Sequence, residues 1–288
     1  DGVQNPVSYN DEAGYKRLSV IEGLSIHNSG SRIITDATAS LQFLADDMHM
    51  DQDYTPKSIF TLQQKQLSGA GTMEITVRKK DSDALWQPQT GLFTFYRRNS
   101  LLAPVTFKRD GIETLILDNA NSHIPTYIGY MNISDTEMPI NSDFMIDSWN
   151  AALFHESAFD LDRWLITMGI RLDYEGGAMD YDCLARLHYR FMPIMTTERE
   201  LYIPYKGTIS HSHFEVLPKL SALFRVSEAV TLYSTLSKGY RAGGFNTQIF
   251  SDILQNKTMT ATMTDMGIYL DRSPVSVTAD NTEYNPET

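Results

Sequence analysis

The chain has 288 residues, of which 42% are hydrophobic and 21% charged, and its formal net charge is −12 at pH 7. Its pI near 5.0 argues against nucleic acid as a partner, because phosphate backbones are bound by clustered Lys and Arg. A mean hydropathy of −0.29 and the lack of any run of about 20 apolar residues exclude a helical membrane protein. These values do not exclude a membrane β-barrel, because barrel strands alternate in polarity and their average hydropathy is low.

Strand signals recur along most of the chain as an alternation of apolar and polar residues. The pattern is clear at residues 73–77, 166–174 and 218–226, where one face of each strand is apolar and the other is polar or small. We expect ten to twelve such strands. A soluble β-sandwich would show the same alternation, so this pattern alone predicts half-buried strands and no particular architecture.

The connections between the predicted strands alternate in length, which is more informative. Short turns are predicted at 81–83, 160–163 and 227–228, and long irregular stretches at 46–56, 100–121, 175–186 and 241–258, with a turn or two of helix at 250–256. Outer-membrane barrels combine short periplasmic turns with long extracellular loops, whereas a β-sandwich distributes its loops less regularly. The alternation therefore favours a barrel.

Residues with catalytic or metal-binding potential are few. Cys183 is the only cysteine in the sequence, which excludes an internal disulfide and a multi-cysteine metal site. His211 and His213 would share a face of a strand, but no nearby Cys or acidic cluster completes a metal shell, so polar residues at a strand entry or in a loop are the preferred interpretation. No nucleophile or zinc-protease motif occurs. The sequence therefore predicts no catalytic residue, no metal site and no covalently bound cofactor.

A resemblance to a known family appears at residues 230–246, which read VTLYSTLSKGYRAGGFN. The stretch resembles a barrel strand of TonB-dependent receptors, in which a Tyr is followed four residues later by Ser-Lys/Arg-Gly-Tyr/Phe-Lys/Arg-Ala-Gly-Gly-Phe-Asn. The residues that match, which we interpret as structural, are Tyr233, Ser237, Lys238, Gly239, Tyr240, Arg241, Ala242, Gly243, Gly244, Phe245 and Asn246. Leu232 and Leu236 are expected to lie on the face opposite Tyr233 and Ser237. The glycines are expected to permit bends where the strand leaves the barrel wall.

Five other segments fall in the order expected for the family: 86–96, 150–159, 161–174, 214–226 and 284–288. His155 stands where the family usually has glycine, and residues 51–64 are similar to a subset associated with iron-siderophore uptake. The resemblance implies an all-β, antiparallel up-and-down transmembrane β-barrel, with about 10–12 strands of a 22-strand barrel in this chain. Residues 1–288 would form part of one barrel domain, and the family's plug domain would be absent from the chain.

The function implied by the resemblance is active transport across the bacterial outer membrane. The ligand would be a scarce small molecule, most often a ferric siderophore, with haem, cobalamin or a glycan as alternatives, and the partners would be outer-membrane lipid and, through an N-terminal region of the parent protein, the TonB complex. Weak candidates for ligand contact in the loops and upper lumen wall are Tyr54, Phe107, His123, Tyr181 and Tyr202. The alternative from another class is a soluble all-β ligand-binding module, for example one directed at carbohydrate.

Overall fold

A computed structural model describes residues 13–51, 57–81, 84–267 and 282–284. Twelve strands lie within these ranges, as the sequence predicts. They are β1 (Gly14–Ser29), β2 (Ile33–Asp51), β3 (Phe60–Lys79), β4 (Trp86–Leu102), β5 (Val105–Lys108), β6 (Tyr130–Ile133), β7 (Glu137–Leu161), β8 (Trp164–Met192), β9 (Met195–Ser227), β10 (Val230–Ser237), β11 (Gly244–Phe245) and β12 (Glu283–Tyr284). The helical elements are α1 (Arg109–Gly111), a π-helical segment (Ile112–Leu117), α2 (Asp118–Ser122) and α3 (Ile249–Asp265).

Eight long strands pair in the order β1-β2-β3-β4-β7-β8-β9-β10, and every one of these pairings is antiparallel. The short strand β5 pairs with β3 and β7, and β6 pairs with β8. Tight turns join β7 to β8 at 161–164 and β9 to β10 at 227–230, which confirms two of the predicted short turns. The third, at 81–83, lies partly outside the described residues. The predicted antiparallel up-and-down architecture is confirmed.

The outer face of the sheet carries two rows of aromatic side chains. On each of four strands, two outward aromatic residues stand ten positions apart, and neighbouring strands bring them into register. The pairs are Trp86 and Tyr96 on β4, Trp149 and Phe159 on β7, Trp164 and Tyr174 on β8, and Phe214 and Phe224 on β9. Ring contacts continue across the strands, at 4.5 Å between Trp164 and Phe224 and 4.9 Å between Trp149 and Tyr174.

The spacing of the two rows matches the thickness of a membrane. Ten residues span about 33 Å along a strand, since each residue rises about 3.3 Å. With the strands tilted by about 40°, this corresponds to about 25 Å along the membrane normal, the height of the apolar band between aromatic girdles in outer-membrane barrels. Leu92, Leu153, Met168 and Ile170 lie between the rows and are 43–53% exposed. The outer face between the rows is therefore the lipid-facing surface.

The polarity of β8 reverses where the strand leaves this band. On the membrane side of Gly176 the outward residues are apolar and the inward residues are polar, including Arg171 and Asp173. Beyond Gly177 the outward residues include Asp180, Asp182 and Arg186, and the inward residues include Met179, Cys183 and Leu187. The prediction of a long loop at 175–186 is wrong for this reason: the strand continues, but its alternation changes sign and reads as a loss of pattern.

The glycines at the reversal allow close packing on both faces. A Cβ atom on Gly176 would lie 2.4 Å from the Trp149 indole on the outer face. One on Gly177 would lie 3.0 Å from the His211 ring and 3.3 Å from the Phe245 ring on the inner face. A side chain at Gly176 would collide with the indole, and one at Gly177 would press on the His211 and Phe245 rings, so the two glycines let aromatic side chains lie against the strand on both faces.

The tight β7–β8 and β9–β10 turns mark the periplasmic end of the sheet, because periplasmic turns are short in outer-membrane barrels, and the opposite half is extracellular. An apolar core fills the inner face of this extracellular half, where α3 packs against β7, β8 and β9. Phe250 of α3 is fully buried and contacts the rings of Phe144 and Tyr181, with centroids 5.0 and 4.9 Å away. Burial of one such side chain contributes about 1.5–3 kcal/mol. No helix in the described ranges is long and apolar enough to cross a membrane.

Helix α3 is much longer than the turn or two predicted at 250–256. Its second half contains four threonines, which are weak helix formers because they are β-branched. Each threonine hydroxyl donates a hydrogen bond to the carbonyl four residues earlier, at 2.7–2.9 Å. These bonds satisfy the hydroxyl groups inside the helix, and packing on the sheet supplies the stability that the residue types lack.

The C-terminal end of α3 is fixed to the sheet through one carboxylate. Asp265 accepts a hydrogen bond from the Tyr189 hydroxyl of β8 and forms an ion pair at 2.7 Å with the Arg199 guanidinium of β9. The hydrogen bond from Tyr189, supported by Arg199, holds the pKa of the Asp265 carboxyl below its ordinary value. The contact therefore stabilises the docked helix above the carboxyl's ordinary pKa and is lost as pH falls through the lowered value.

We predict that Leu153→Arg, in the middle of the lipid-facing band, lowers the free energy of unfolding of the full-length protein by about 2–4 kcal/mol, because a cation is costly at the bilayer midplane. Unfolding in denaturant from lipid vesicles measures the change. The control is Leu184→Arg, which places the same substitution on an outward position of β8 beyond the band, and little change is expected there. Equal losses in the two variants would contradict the assignment of the membrane face.

We predict that Asp265→Asn in the full-length protein speeds hydrogen exchange of the α3 amides about tenfold at pH 7, because hydrogen bonds to a charged group contribute about 1.5–3 kcal/mol. Mass-spectrometric exchange of the peptide covering α3 measures this. The control is Asp252→Asn, an exposed aspartate in the first turn of the same helix, for which exchange at the C-terminal end should stay unchanged. Unaltered exchange in both variants would show that the carboxylate does not hold the helix.

Candidate functional site

A polar recess of about 560 Å³ opens on the inner face of the sheet, at the level where β8 reverses its polarity. Four neighbouring strands direct alternate side chains into it, because every second residue of a strand shares a face. The lining residues are Phe93, Phe95 and Arg97 from β4, Ile146, Ser148 and Asn150 from β7, Arg171, Asp173 and Glu175 from β8, and His211 from β9. The recess thus lies in the lumen beside the upper edge of the lipid-facing band.

The segment 238–246, here called the strap, covers one side of the recess. Strand β10 ends at Ser237, and the Lys238 amide donates to the Pro218 carbonyl at 3.0 Å as the chain turns inward. The Lys238 ammonium then donates to the Glu215 carboxylate at 2.7 Å. The chain crosses the inner face of β8 and β9, which confirms that the strand leaves the wall at these glycine-containing positions.

Two buried carboxylates hold the strap in place. Asp173 and Glu175 are 3% and 7% exposed. The Tyr240 hydroxyl donates to Asp173 at 3.2 Å and to Glu175 at 3.0 Å, and the Gly243 amide donates to the second oxygen of Glu175 at 3.3 Å. Because buried charges are costly unless hydrogen bonds satisfy them, the strap and the carboxylates stabilise one another.

Tyr240 acts as a donor in this arrangement at any physiological pH. Its burial, together with its hydrogen bond to Glu175 and the charge of Asp173, raises the pKa of the Tyr240 phenol above its ordinary value. The hydroxyl therefore keeps its proton and points it at the two carboxylates.

The two arginines of the recess differ in what surrounds them. Arg171 donates to Asp173 at 2.6 Å and lies over the Phe93 ring, 5.3 Å from its centroid. Arg97 faces the lumen and has no ion-pair partner among the residues that the structure describes. An unpaired guanidinium beside the Phe93 and Phe95 rings offers a planar group of donors for a carboxylate, phenolate or other oxygen anion.

Two polar atoms of the recess are buried and lack a hydrogen-bond partner within the described chain: His211 Nδ1 and Asn150 Oδ1. The His211 ring packs on Phe245 of the strap at 4.9 Å, and the Asn150 amide nitrogen donates to Asp173. Within the described ranges no group of three or more His, Cys, Asp or Glu could hold a metal ion. The recess can therefore offer charge, hydrogen bonds and aromatic surface to a bound molecule.

Of the five residues predicted as weak candidates for ligand contact, the four that the structure describes lie elsewhere. The fifth, Tyr54, falls outside the described residues. Phe107 is buried against Phe60 with ring centroids 6.0 Å apart, and the exposed His123 bonds its neighbours at the end of α2 through Nδ1. Tyr181 packs inward against Phe250, and Tyr202 faces outward beneath Arg186. None of the four described side chains lines the recess, and their contact with ligand stays a prediction.

The motif residues divide into two groups. Those of β10 alternate, so that Tyr233 and Ser237 face the lumen while Leu232 and Leu236 face outward, as predicted. Those of the strap reach the recess or its surroundings. The members that line it are Tyr240, Ala242, Gly243, Gly244 and Phe245, while Asn246 accepts a hydrogen bond from the Gln248 amide just before α3 at 3.1 Å.

The sequence did not single out the charged wall of the recess. Arg171 and Asp173 appear in the sequence as the polar face of an alternating strand. His211 was interpreted, with His213, as a polar residue at a strand entry or in a loop, whereas it lies within β9 and faces the recess. Their approach to Arg97 and the strap depends on strand register over long separations in sequence, which no local motif reports. A search for polar residues on the inward face, at the height of the upper aromatic row, would have found them.

We predict that Tyr240→Phe loosens the strap, because Glu175 loses its only side-chain donor in the described structure and hydrogen bonds to charged groups contribute about 1.5–3 kcal/mol. Hydrogen exchange at the Gly243 and Phe245 amides of the full-length protein should accelerate about tenfold. The matched control is Tyr233→Phe, which removes the same hydroxyl from a motif side chain that is 84% exposed in the lumen. Equal exchange in wild type and both variants would refute the anchoring role.

Comparisons with known proteins agree with this architecture. A family model described as TonB dependent receptor-like, beta-barrel, matches residues 8–288. Among solved structures, the crystal structure of the ferric yersiniabactin uptake receptor FyuA from Yersinia pestis is similar, with a TM-score of 0.59 and 16% sequence identity. The match covers 83% of this chain and 31% of that chain, and at this identity it concerns the fold alone. Comparison with curated proteins finds no significant match.

The family match extends over nearly the whole sequence and includes the strands whose aromatic rows define the lipid-facing band. It confirms the resemblance seen in the sequence, and the alternative of a soluble all-β module is therefore wrong. The chain belongs to the TonB-dependent receptor β-barrel family and lies in the bacterial outer membrane.

Proposed function

We propose that the complete protein is an active-transport receptor that binds a ferric siderophore and imports it with energy supplied through TonB. The observation that carries the ligand class is the unpaired Arg97 guanidinium beside the aromatic rings of the recess. Iron(III) is held in small chelators by hard oxygen donors, and the resulting complexes combine negative charge with polar oxygens and often aromatic rings. Such a ligand would match the Arg97 guanidinium, which shares the recess with the rings of Phe93, Phe95 and Phe245.

The net negative charge of the chain makes the Arg97 guanidinium a more selective site for an anion. The chain carries a net charge of −12, so most of its surface disfavours anions. The Arg97 guanidinium has no ion-pair partner among the described residues and lies beside aromatic side chains of the recess, so its donors are available to an anionic ligand. His211 Nδ1 and Asn150 Oδ1 would add one hydrogen bond each to the ligand.

The proposal treats the ligand as cargo and includes no chemical step. The iron complex would be bound and released, with no covalent attachment and no resident cofactor. The similar fold of FyuA, named as a ferric yersiniabactin uptake receptor, supports the transport of an iron complex. Energy coupling would require the TonB complex to act on a part of the parent protein beyond this barrel segment.

The test uses the full-length protein in iron-limited cells and a panel of ferric siderophores that includes catecholate, hydroxamate and carboxylate types. Wild type should restore growth and uptake of radioactive iron with at least one of them. Arg97→Gln should weaken binding of that siderophore about tenfold, since it removes one charge-assisted interaction. The control Arg190→Gln neutralises an arginine on the outward face of β8, far along the strand from the recess, and should bind as wild type does.

Failure of every ferric siderophore to bind or support growth would remove the iron assignment and leave membership of the receptor family intact. The same cells can be supplied with haem, cobalamin or oligosaccharides as the sole source of iron, cobalamin or carbon. Growth on one of these alone would identify a different cargo for the recess. Normal binding by Arg97→Gln would show that the guanidinium does not recognise the ligand.

A further inference from the structure

A second cavity lies in the extracellular half of the molecule and shares no residue with the recess. It has a volume of about 170 Å³ and is enclosed between α3, the π-helical segment and the inner faces of β6, β7 and β8. Four methionines, Met131, Met138, Met259 and Met263, form much of its wall together with Leu187.

The lining of this cavity is uncharged. Inside it, the polar residues Thr258 and Thr262 donate their hydroxyl hydrogens to carbonyls of α3, and the carboxamides of Asn119, Gln255 and Asn256 complete the polar part of the lining. Asn119 and Asn256 are exposed at the surface, which places neutral donors and acceptors at the mouth. A charged ligand would lose its hydration there without gaining a partner of opposite charge, so the chemistry of the cavity selects neutral molecules.

The walls are held apart by contacts that do not depend on a ligand. The π-helical segment is anchored by Ile112 and Leu117, which are 0% and 8% exposed. Arg109, just before it, pairs with Glu113 at 2.7 Å and donates to the Ile133 carbonyl at 3.0 Å. On the other side, α3 is fixed by Asp265. The cavity therefore cannot close by a simple shift of one wall.

A cavity of this size is unusual in a packed interior, where spaces larger than a water molecule are few. The π-helical conformation is itself rare and occurs often at functional sites, because it widens a helix and redirects its side chains. Here the π-helical segment contributes Leu115 and Ile116 to the cavity. The unusual helix and the cavity thus occur at the same place.

We propose that this cavity is a binding site for a small neutral molecule, or the neutral end of a larger one, that carries an apolar ring and one hydrogen-bonding group. An apolar protein cavity of about 150 Å³ binds benzene, so the observed volume suits a single six-membered ring. Methionine side chains adapt to the shape of a ligand and make favourable sulfur contacts with aromatic rings. The three carboxamides at the mouth would receive the polar group.

The inference does not rest on the proposed transport of iron. It concerns a separate set of residues, further along β8 on the extracellular side, and a ligand that is neutral and not anionic. A molecule entering from outside the cell would meet this cavity before it reached the recess. The site would hold its ligand whether or not Arg97 recognises an anion.

The test is titration of the full-length protein in lipid nanodiscs, labelled with ¹³C at the methionine methyl groups, with benzyl alcohol. The methyl signals of the four cavity methionines should shift in a saturable manner, whereas the signal of Met168, which faces lipid, should change only in proportion to the concentration in the bilayer. Benzoate should bind at least about tenfold more weakly, because its charge would be buried unpaired. Equal affinity for benzoate would overturn the proposal.

Two matched variants separate the cavity from general effects on α3. Thr258→Leu fills the cavity from a buried position and should weaken binding about tenfold or more, while Thr260→Leu makes the same change at an exposed position of the same helix and should bind as wild type does. Met259→Ala enlarges the cavity and should admit a bulkier ring such as naphthyl methanol, even if Thr258→Leu disturbs folding. No saturable shift in wild type, or identical binding in the two threonine variants, would refute the site.

Discussion

Hydrogen bonding between neighbouring strands is the constraint on which the rest of this structure depends. Within lipid, backbone N–H and C=O groups have no water to bind, so the strands must pair continuously across the membrane. Continuous pairing fixes the register, and register fixes which side chains share a face. The aromatic rows, the apolar band between them and the polar residues opposite all follow from this, because Trp86 lies beside Phe159 and Tyr174 beside Phe214.

Beyond the lipid-facing band, the same strands are surrounded by water instead of lipid. Above Gly176 and Gly177 the outer face meets water, and the inner face encloses a core closed by α3 and the π-helical segment. The polar recess lies at the boundary between the lipid-facing band and the extracellular part of the sheet, where the inward side chains are still polar and the strap contacts them. Buried carboxylates are tolerated there because Arg171, Tyr240 and the Gly243 amide satisfy them.

Much of the membrane-spanning half could be predicted from the sequence, because the alternation of apolar and polar residues indicates directly which side chains share a face of the strand. The alternation at 166–174 and the division of Leu232 and Leu236 from Tyr233 and Ser237 are both confirmed. The extracellular half could not be predicted in this way. The reversed alternation at 175–186 resembles a loop, and the four threonines of α3 are weak helix formers. The recess was missed because Arg97 approaches Glu175 only through the pairing of strands far apart in sequence.

The reversal on β8 also determines which changes of chain length the barrel can accept. Insertion of a single residue between Trp164 and Gly176 would exchange the lipid-facing and lumenal side chains on one side of the insertion. Insertion of two residues would keep the faces but carry Tyr174 and the glycine pair out of line with Phe214 and Trp149. Related chains are therefore expected to vary in length at the turns and at the extracellular ends of the strands, and to keep a constant count between the aromatic rows.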